Sequence, residues 1–255
     1  MIINRISKIR KLIKTNNLDG YIIPKNDAYF SEYSSPDRLK ILTGFSGSAG
    51  FAVILNKTNY LFVDGRYTIQ AQIQSGKYFK IVEVPKFSTK FILKKTKKIL
   101  SIGFDPQLFT NLGLKKKFGK NFSLLPIKEN LVDKIYKKNL QKKISLFYNL
   151  DNKITGEKMN SKINKLIKMM KSRNIDNIFI SAPENVAWLL NIRGKDSPHS
   201  PIPNCKIILT KTKKIFFFSC PKKIKKIKKH YDYKKIIFCI YQDFSKIINK
   251  LKGNN

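Results

Sequence analysis

Phe45-Ser46-Gly47-Ser48-Ala49-Gly50, continuing as Phe51-Ala52-Val53-Ile54-Leu55 and, after a short gap, as Phe62-Val63-Asp64-Gly65-Arg66-Tyr67, is the stretch whose reading decides the fold. Glycines at 44, 47 and 50 keep side chains out of a segment where the backbone bends or approaches a neighbour closely. Phe51 to Leu55 is continuously apolar and β-prone, which predicts a strand covered on both faces. Asn56-Lys57-Thr58-Asn59 is a turn, and Tyr60 to Val63 returns as the neighbouring strand. Asp64-Gly65 closes that strand. Arg66 then stands on an exposed turn, where a guanidinium could meet a carboxylate or a carbonyl. Two core strands joined by an ordinary hairpin is the plainer alternative. In that case Arg66 merely pairs with Asp64 or Glu32.

Outward from this hairpin, helices and strands alternate. Ile2, Ile6, Ile9, Leu12 and Ile13 recur at helical spacing among Lys and Arg, so residues 2–16 read as an amphipathic helix. Tyr21-Ile22-Ile23 is a short buried strand stopped by Pro24. A helix is expected after Tyr67 up to Gly76, a strand over 79–84 and a Lys-rich helix over 89–99. Ile102-Gly103-Phe104 is a strand ending in an Asp105-Pro106 turn. Leu108 to Phe118 reads as a helix interrupted at Gly113, and Asn121 to Pro126 as another strand. This alternation predicts an α/β layered domain over residues 1–145, with 139–152 as a polar linker.

The pattern then restarts. A long helix over 155–171 precedes a strand over 177–180, and Pro183 to Leu190 forms a short helix holding Trp188. A proline-rich loop with His199 follows, then a strand pair, a Lys-rich helix containing His230, a strand over 236–241 and a helix over 244–251. The helix-then-strand opening recurs about 155 residues later, too far apart for a solenoid. Two related α/β domains in tandem are expected, the second over 153–255.

Length and composition agree with this. The chain has 255 residues, 42% hydrophobic and 12% aromatic, enough for packed cores and against disorder throughout. Its 52 Lys+Arg against 16 Asp+Glu give a net charge of +36. Such a charge attracts any polyanion in a salt-dependent way. The excess is spread along the chain as Lys beside Ile and Asn, and no RNP signature, paired Cys/His finger or Arg-rich helix accompanies it. A solvated surface is therefore the expected role, and no specific nucleic acid is expected as a partner. Cys205, Cys220 and Cys239 fit no zinc spacing and read as reduced core thiols of a cytoplasmic protein. No apolar run approaches a membrane span, so no membrane partner is expected.

Several of these segments together resemble the N-terminal part of the aminopeptidase P (Xaa-Pro aminopeptidase) branch of the creatinase family. The matching runs are Tyr21-Ile22-Ile23-Pro24 with Asp27, Ser31-Glu32-Tyr33, Leu42 to Gly50, Asp64-Gly65-Arg66-Tyr67 with Gln70, Ile102 to Pro106, and Leu131-Val132-Asp133. In the second half they are Trp188-Leu189-Leu190-Asn191-Ile192-Arg193-Gly194, Asp196, Pro198, His199 and Pro201. The resemblance implies two tandem creatinase N-terminal-like domains, each a mixed β-sheet flanked by helices, the second incomplete. It implies a family activity of removing an N-terminal residue that precedes proline. That activity belongs to a C-terminal pita-bread domain whose two Mn²⁺ ions are held by two Asp, one His and two Glu. No such ligand set can be drawn from these 255 residues. No catalytic residue, metal ligand or cofactor is therefore expected in this chain.

By the same resemblance Arg66 reaches toward a bound peptide, and His199 lies near the catalytic mouth as a second substrate-binding candidate. A separately encoded catalytic domain and a homodimer are the partners the resemblance allows, with a peptide substrate only in a complete enzyme. A non-catalytic part of such an enzyme, serving assembly and substrate access, is the expected function. A free-standing module derived from the family and a polyanion-binding protein are the alternatives.

Overall fold

A computed structural model describes residues 1–31, 35–84, 92, 99–119, 122–136, 145–197, 199–227 and 236–251. The chain divides into two compact units, Met1–Gln141 and Lys142–Asn255. Each is a mixed β-sheet flanked by helices.

The first unit opens with α1 (Ile2–Thr15) and β1 (Gly20–Pro24). Then come α2 (Arg38–Thr43), β2 (Gly50–Leu55), β3 (Asn59–Val63), α3 (Thr68–Ser75) and β4 (Lys80–Glu83). After these follow β5 (Leu100–Phe104), α4 (Asn111–Phe118), β6 (Phe122–Pro126) and α5 (Leu131–Ile135). The six strands lie in the order β4-β3-β2-β1-β5-β6. β2 runs antiparallel to both β1 and β3, whereas β4 joins β3, β5 joins β1 and β6 joins β5 in parallel.

Side-chain alternation along the strands builds two cores. Tyr21, Ile23, Ala52, Ile54, Leu61 and Val63 face the layer holding Ile6, Ile9 and Ile13 of α1, together with Leu39, Leu42, Ala71 and Val132. Ile22, Phe51, Val53, Phe62, Ile102 and Phe104 face the other layer, where Leu114 and Phe118 of α4 lie. The continuous apolar run in β2 thus serves both faces, as its sequence predicts. Tyr21 is fully buried, its hydroxyl accepts from the Leu131 amide at 3.5 Å, and burial raises its pKa above the ordinary phenol range.

Polar ends of the elements are satisfied locally. Asp37 and Thr110 cap α2 and α4 by accepting from the backbone amides of Lys40 and Gly113. Asp105 accepts from the Gln107 amide and from the Asn130 side chain, tying the end of β5 to the start of α5. Arg38 makes a two-pronged ion pair with Asp133 at 2.8 and 2.7 Å. Gly44 ends α2 in the left-handed region at φ +86. Gly50 has φ +155, and a Cβ there would lie 2.6 Å from the Phe62 carbonyl oxygen.

The second unit holds β7 (Tyr148–Asn149), α6 (Asn152–Thr155), α7 (Met159–Ser172), β8 (Asn177–Ile180), α8 (Pro183–Leu190) and β9 (Ile192–Arg193). It continues with β10 (Lys206–Thr210), β11 (Ile215–Ser219), α9 (Pro221–Ile227), β12 (Ile236–Ile240) and α10 (Phe244–Lys250). Four strands lie in the order β12-β11-β10-β8, and β7 pairs with β9. Ile163, Ile167 and Met170 of α7 and Val186, Leu189 and Leu190 of α8 pack with Ile207, Leu209, Ile215 and Phe217.

Three expectations are adjusted. The interruption of the helix expected from Leu108 lies at Phe109-Thr110, between a 3₁₀ turn and α4, while Gly113 sits in the first turn of α4. The long helix expected from Thr155 is split, because Gly156 takes φ +71 and ends α6 before α7 starts. The segment read as linker reaches less far, since Phe147 is buried in the second core and β7 pairs with β9. The helix expected over 89–99 lies outside the described residues except for Ile92 and Ile99, as do Glu32 and His230.

Two stability outcomes follow from this packing. Gly50→Ala forces a β-carbon against a backbone oxygen in a conformation L-residues avoid, and should destabilise the first unit by about 1–3 kcal/mol in denaturant unfolding. Replacing Arg38 with Ala strands Asp133 and should cost about 1.5–3 kcal/mol, with a double-mutant cycle through Asp133→Asn recovering part of the loss.

Candidate functional site

β3 delivers Asp64 to the end of the first sheet, and a 3₁₀ turn over Gly65–Tyr67 leads into α3. The Asp64 carboxylate accepts from the Arg66 amide at 3.0 Å and from Arg66 Nε at 2.8 Å. These bonds, the side-chain one foremost, hold the Asp64 carboxyl below its usual pKa. The side chain of Asp64 therefore makes the turn. Gly65 contributes no special conformation, because its surroundings are open and its φ is not positive. Arg66 is 73% exposed, as expected for a side chain projecting beyond the sheet, and it also lies over the Tyr67 ring at 5.5 Å.

The glycine-spaced loop packs behind this turn. The Tyr67 hydroxyl and Ser48 Oγ are 2.8 Å apart, and the Phe45 and Tyr67 rings meet edge to face at 5.8 Å. Gln74 Oε1 accepts from the Ser46 amide at 2.9 Å, and Gln70 Nε2 donates to Ser46 Oγ at 2.9 Å. Arg66 is thus mounted on a turn clamped from below by a polar network. Sequence reading quotes Gln70 but misses Gln74. The signal was available, because four residues along a helix places both amides on one face. Ile69 and Ile73 lie on another line of α3, 76% and 80% exposed.

In the second unit the residues of the Trp188 to Gly194 run are mainly architectural. Asn191 takes φ 54 just past the end of α8. Arg193 donates to the Ala187 carbonyl at 3.0 Å, and Lys162 Nζ donates to the Trp188 carbonyl at 2.8 Å and to Asn191 Oδ1 at 2.7 Å. Two cations so satisfy the C-terminal carbonyls of one helix, where the backbone dipole favours positive charge. Burial lowers the Lys162 pKa, with the Glu157 carboxylate acting in the opposite sense. Asp196 accepts from the Asn204 amide at 2.7 Å and pairs with the buried Lys223. Burial raises the Cys205 thiol pKa well above its ordinary value, which suits an inert core thiol. His199 is exposed in the loop between β9 and β10.

Among the described residues no group of three His, Cys, Asp or Glu could hold a metal ion. Asp27, Asp37, Asp64, Asp105, Asp151 and Asp196 each accept hydrogen bonds within loops, caps or pairs. That donor set does not fit a dinuclear centre. Nor, among the described residues, is any helix long and apolar enough to cross a membrane.

Replacing Lys162 with Met should destabilise the second unit by about 1–3 kcal/mol through the unsatisfied Trp188 carbonyl and Asn191. It should also change the emission of Trp188, the only tryptophan, whose ring lies 4.3 Å from the ammonium. Unchanged emission and unfolding would show that the helix end is satisfied without it.

Comparison with known proteins agrees with this architecture. The family described as Creatinase/Prolidase N-terminal domain matches residues 5–135, and a second family of the same description matches residues 140–255. A probable Xaa-Pro aminopeptidase P of Laccaria bicolor is 32% identical over 225 residues, covering 84% of this chain and 35% of that protein. Xaa-Pro aminopeptidase 1 of Dictyostelium discoideum is 32% identical over 224 residues, covering 78% of this chain and 34% of that protein. The chain thus spans about a third of the length of these curated relatives. The crystal structure of X-prolyl aminopeptidase from Caenorhabditis elegans, described as a cytosolic enzyme with a di-nuclear active site, is 26% identical. It superposes with a TM-score of 0.84 over 98% of this chain and 44% of that one. The chain belongs to the creatinase/prolidase N-terminal domain family, and its two domains correspond to the N-terminal part of aminopeptidase P.

Proposed function

We propose that these two domains are the non-catalytic part of an Xaa-Pro aminopeptidase, serving assembly with a catalytic domain and access of the peptide to it. The observation that carries this reading is the pair of N-terminal domain matches, which together run from residue 5 to residue 255. The Arg66 turn is the substrate-facing element. A guanidinium offers planar donors that fix the orientation of a peptide carbonyl or carboxylate as well as neutralising charge. The Asp64 contact and the clamped loop beneath hold it in one orientation before anything binds. The exposed Ile69 and Ile73 beside it suit a surface that a further domain covers. His199, exposed on its loop, is the corresponding element of the second domain.

Two measurements test this. The purified 255-residue chain should release no N-terminal residue from Xaa-Pro peptides, with or without Mn²⁺. Metal-dependent release that copurifies with the chain through several columns would overturn the reading. Once the chain is joined to a catalytic domain, Arg66→Ala should lower kcat/KM by the loss of a charged hydrogen bond, about 1.5–3 kcal/mol, while the unfolding midpoint stays within error. Unchanged kinetics would leave Arg66 as the surface partner of Asp64 only.

A further inference from the structure

The loop between β9 and β10 carries His199, and bonds within the second unit close it at its base. The Gly194 amide donates to the Pro201 carbonyl at 3.1 Å, and the Asp196 amide to the Ile202 carbonyl at 3.2 Å. The Lys195 amide donates to Ser145 Oγ at 2.8 Å. On the outgoing limb the Asn204 amide donates to the Asp196 carboxylate at 2.7 Å, and Ser219 Oγ at the end of β11 donates to the Asn204 carbonyl at 2.8 Å. A β-carbon on Gly194 would stand 2.8 Å from Pro203 Cα, so the two limbs lie in contact. Only residues 197–200 separate Asp196 from Pro201. So short a span, fixed at both ends and closed by a proline ring, leaves His199 a narrow range of positions.

Asp196 is the centre of this closure, because its carboxylate joins the incoming limb to the outgoing one. Its second partner is Lys223 on α9, 27 residues further along the chain. The side chains of Asp196 and Lys223 are 9% and 5% exposed, and the Lys223 ammonium also lies 4.8 Å from the centre of the Phe147 ring. A charge pair placed so deeply adds little net stability, since desolvation of both ions offsets their attraction, and an apolar pair of similar volume often serves a fold as well. What the ion pair supplies is direction. The Asp196 carboxylate has to face Lys223, and both limbs of the loop are bonded to Asp196.

We propose that Asp196 and Lys223 are positioning residues for His199: their buried pair fixes the loop so that the imidazole is presented to the peptide in one place, as Asp64 presents Arg66. What His199 meets rests on the proposed function. The positioning itself does not, and the experiment addresses the positioning alone.

The full 255-residue chain is labelled with ¹⁵N, and the backbone order parameter of the His199 amide is read together with denaturant unfolding. In the unaltered chain the order parameter should have the rigid value of about 0.85. Lys223→Met strands the Asp196 charge and should lower it below about 0.6, with an earlier unfolding midpoint. Asp196→Asn combined with Lys223→Met removes both charges yet keeps an acceptor for the Asn204 amide, and it serves as well where the single variant fails to fold. This double variant should be more stable than Lys223→Met while the His199 amide stays below about 0.6, because an amide and a thioether impose no mutual direction. An order parameter already below about 0.6 in the unaltered chain, or one that remains above it in the double variant, would overturn the proposal. So would a double variant no more stable than the single one, or loss of order across α7 and α8, since the pair would then hold the fold and not the loop. None of these readouts needs a peptide or peptidase activity, so a failure of the proposed function and a failure of this positioning are separate results.

Discussion

Burial of a strand on both faces and both edges is the constraint on which the first domain depends. β1 lies between an antiparallel and a parallel neighbour, and its side chains alternate between two apolar layers. Together the two layers fix the register, because a one-residue slip would exchange the two sets of side chains. The glycine-spaced loop and the Asp64 turn lie at the ends of β2 and β3 and inherit their positions from this arrangement. The Arg66 turn can be rigid at an exposed surface because everything beneath it is fixed.

Several of the residues that carry the family resemblance, with their partners, act on the fold. Asp105 and Asn130 join a strand end to a helix start, and Arg38 and Asp133 join two helices. Asn191, Arg193 and Lys162 complete one helix terminus. Asp196 and Lys223 pair within the second domain beside Phe147. A backbone group left without a partner in the interior costs about as much as a lost hydrogen bond, so such polar residues are as constrained as a binding site would be. Arg66 differs in being mounted on a braced turn and directed outward.

The high positive charge is consistent with the same logic. Lysine fills the outward faces of α1, α4 and α7, where an amphipathic helix needs polar residues. Among the described residues the buried lysines, Lys25, Lys162 and Lys223, each reach a carboxylate or a carbonyl. Charge of this kind reports where the surface lies.

By itself the sequence determined the element order, the two-domain repeat and the strands over 21–23, 51–55, 60–63, 102–104 and 177–180. These are written in local periodicity: apolar residues recur every two positions, every three to four, or without a break, and turns carry Gly, Pro, Asn and Asp. It also showed that Arg66 follows a strand end. Pairing between distant segments was decided only in the tertiary structure. That β1 has neighbours on both sides while β8, among the described residues, has one depends on which strands meet, and an apolar run such as Asn177–Ile180 looks the same at a centre or at an edge. Likewise the partnership of Lys162 with a helix end 26 residues away arises from through-space proximity that no spacing along the chain encodes.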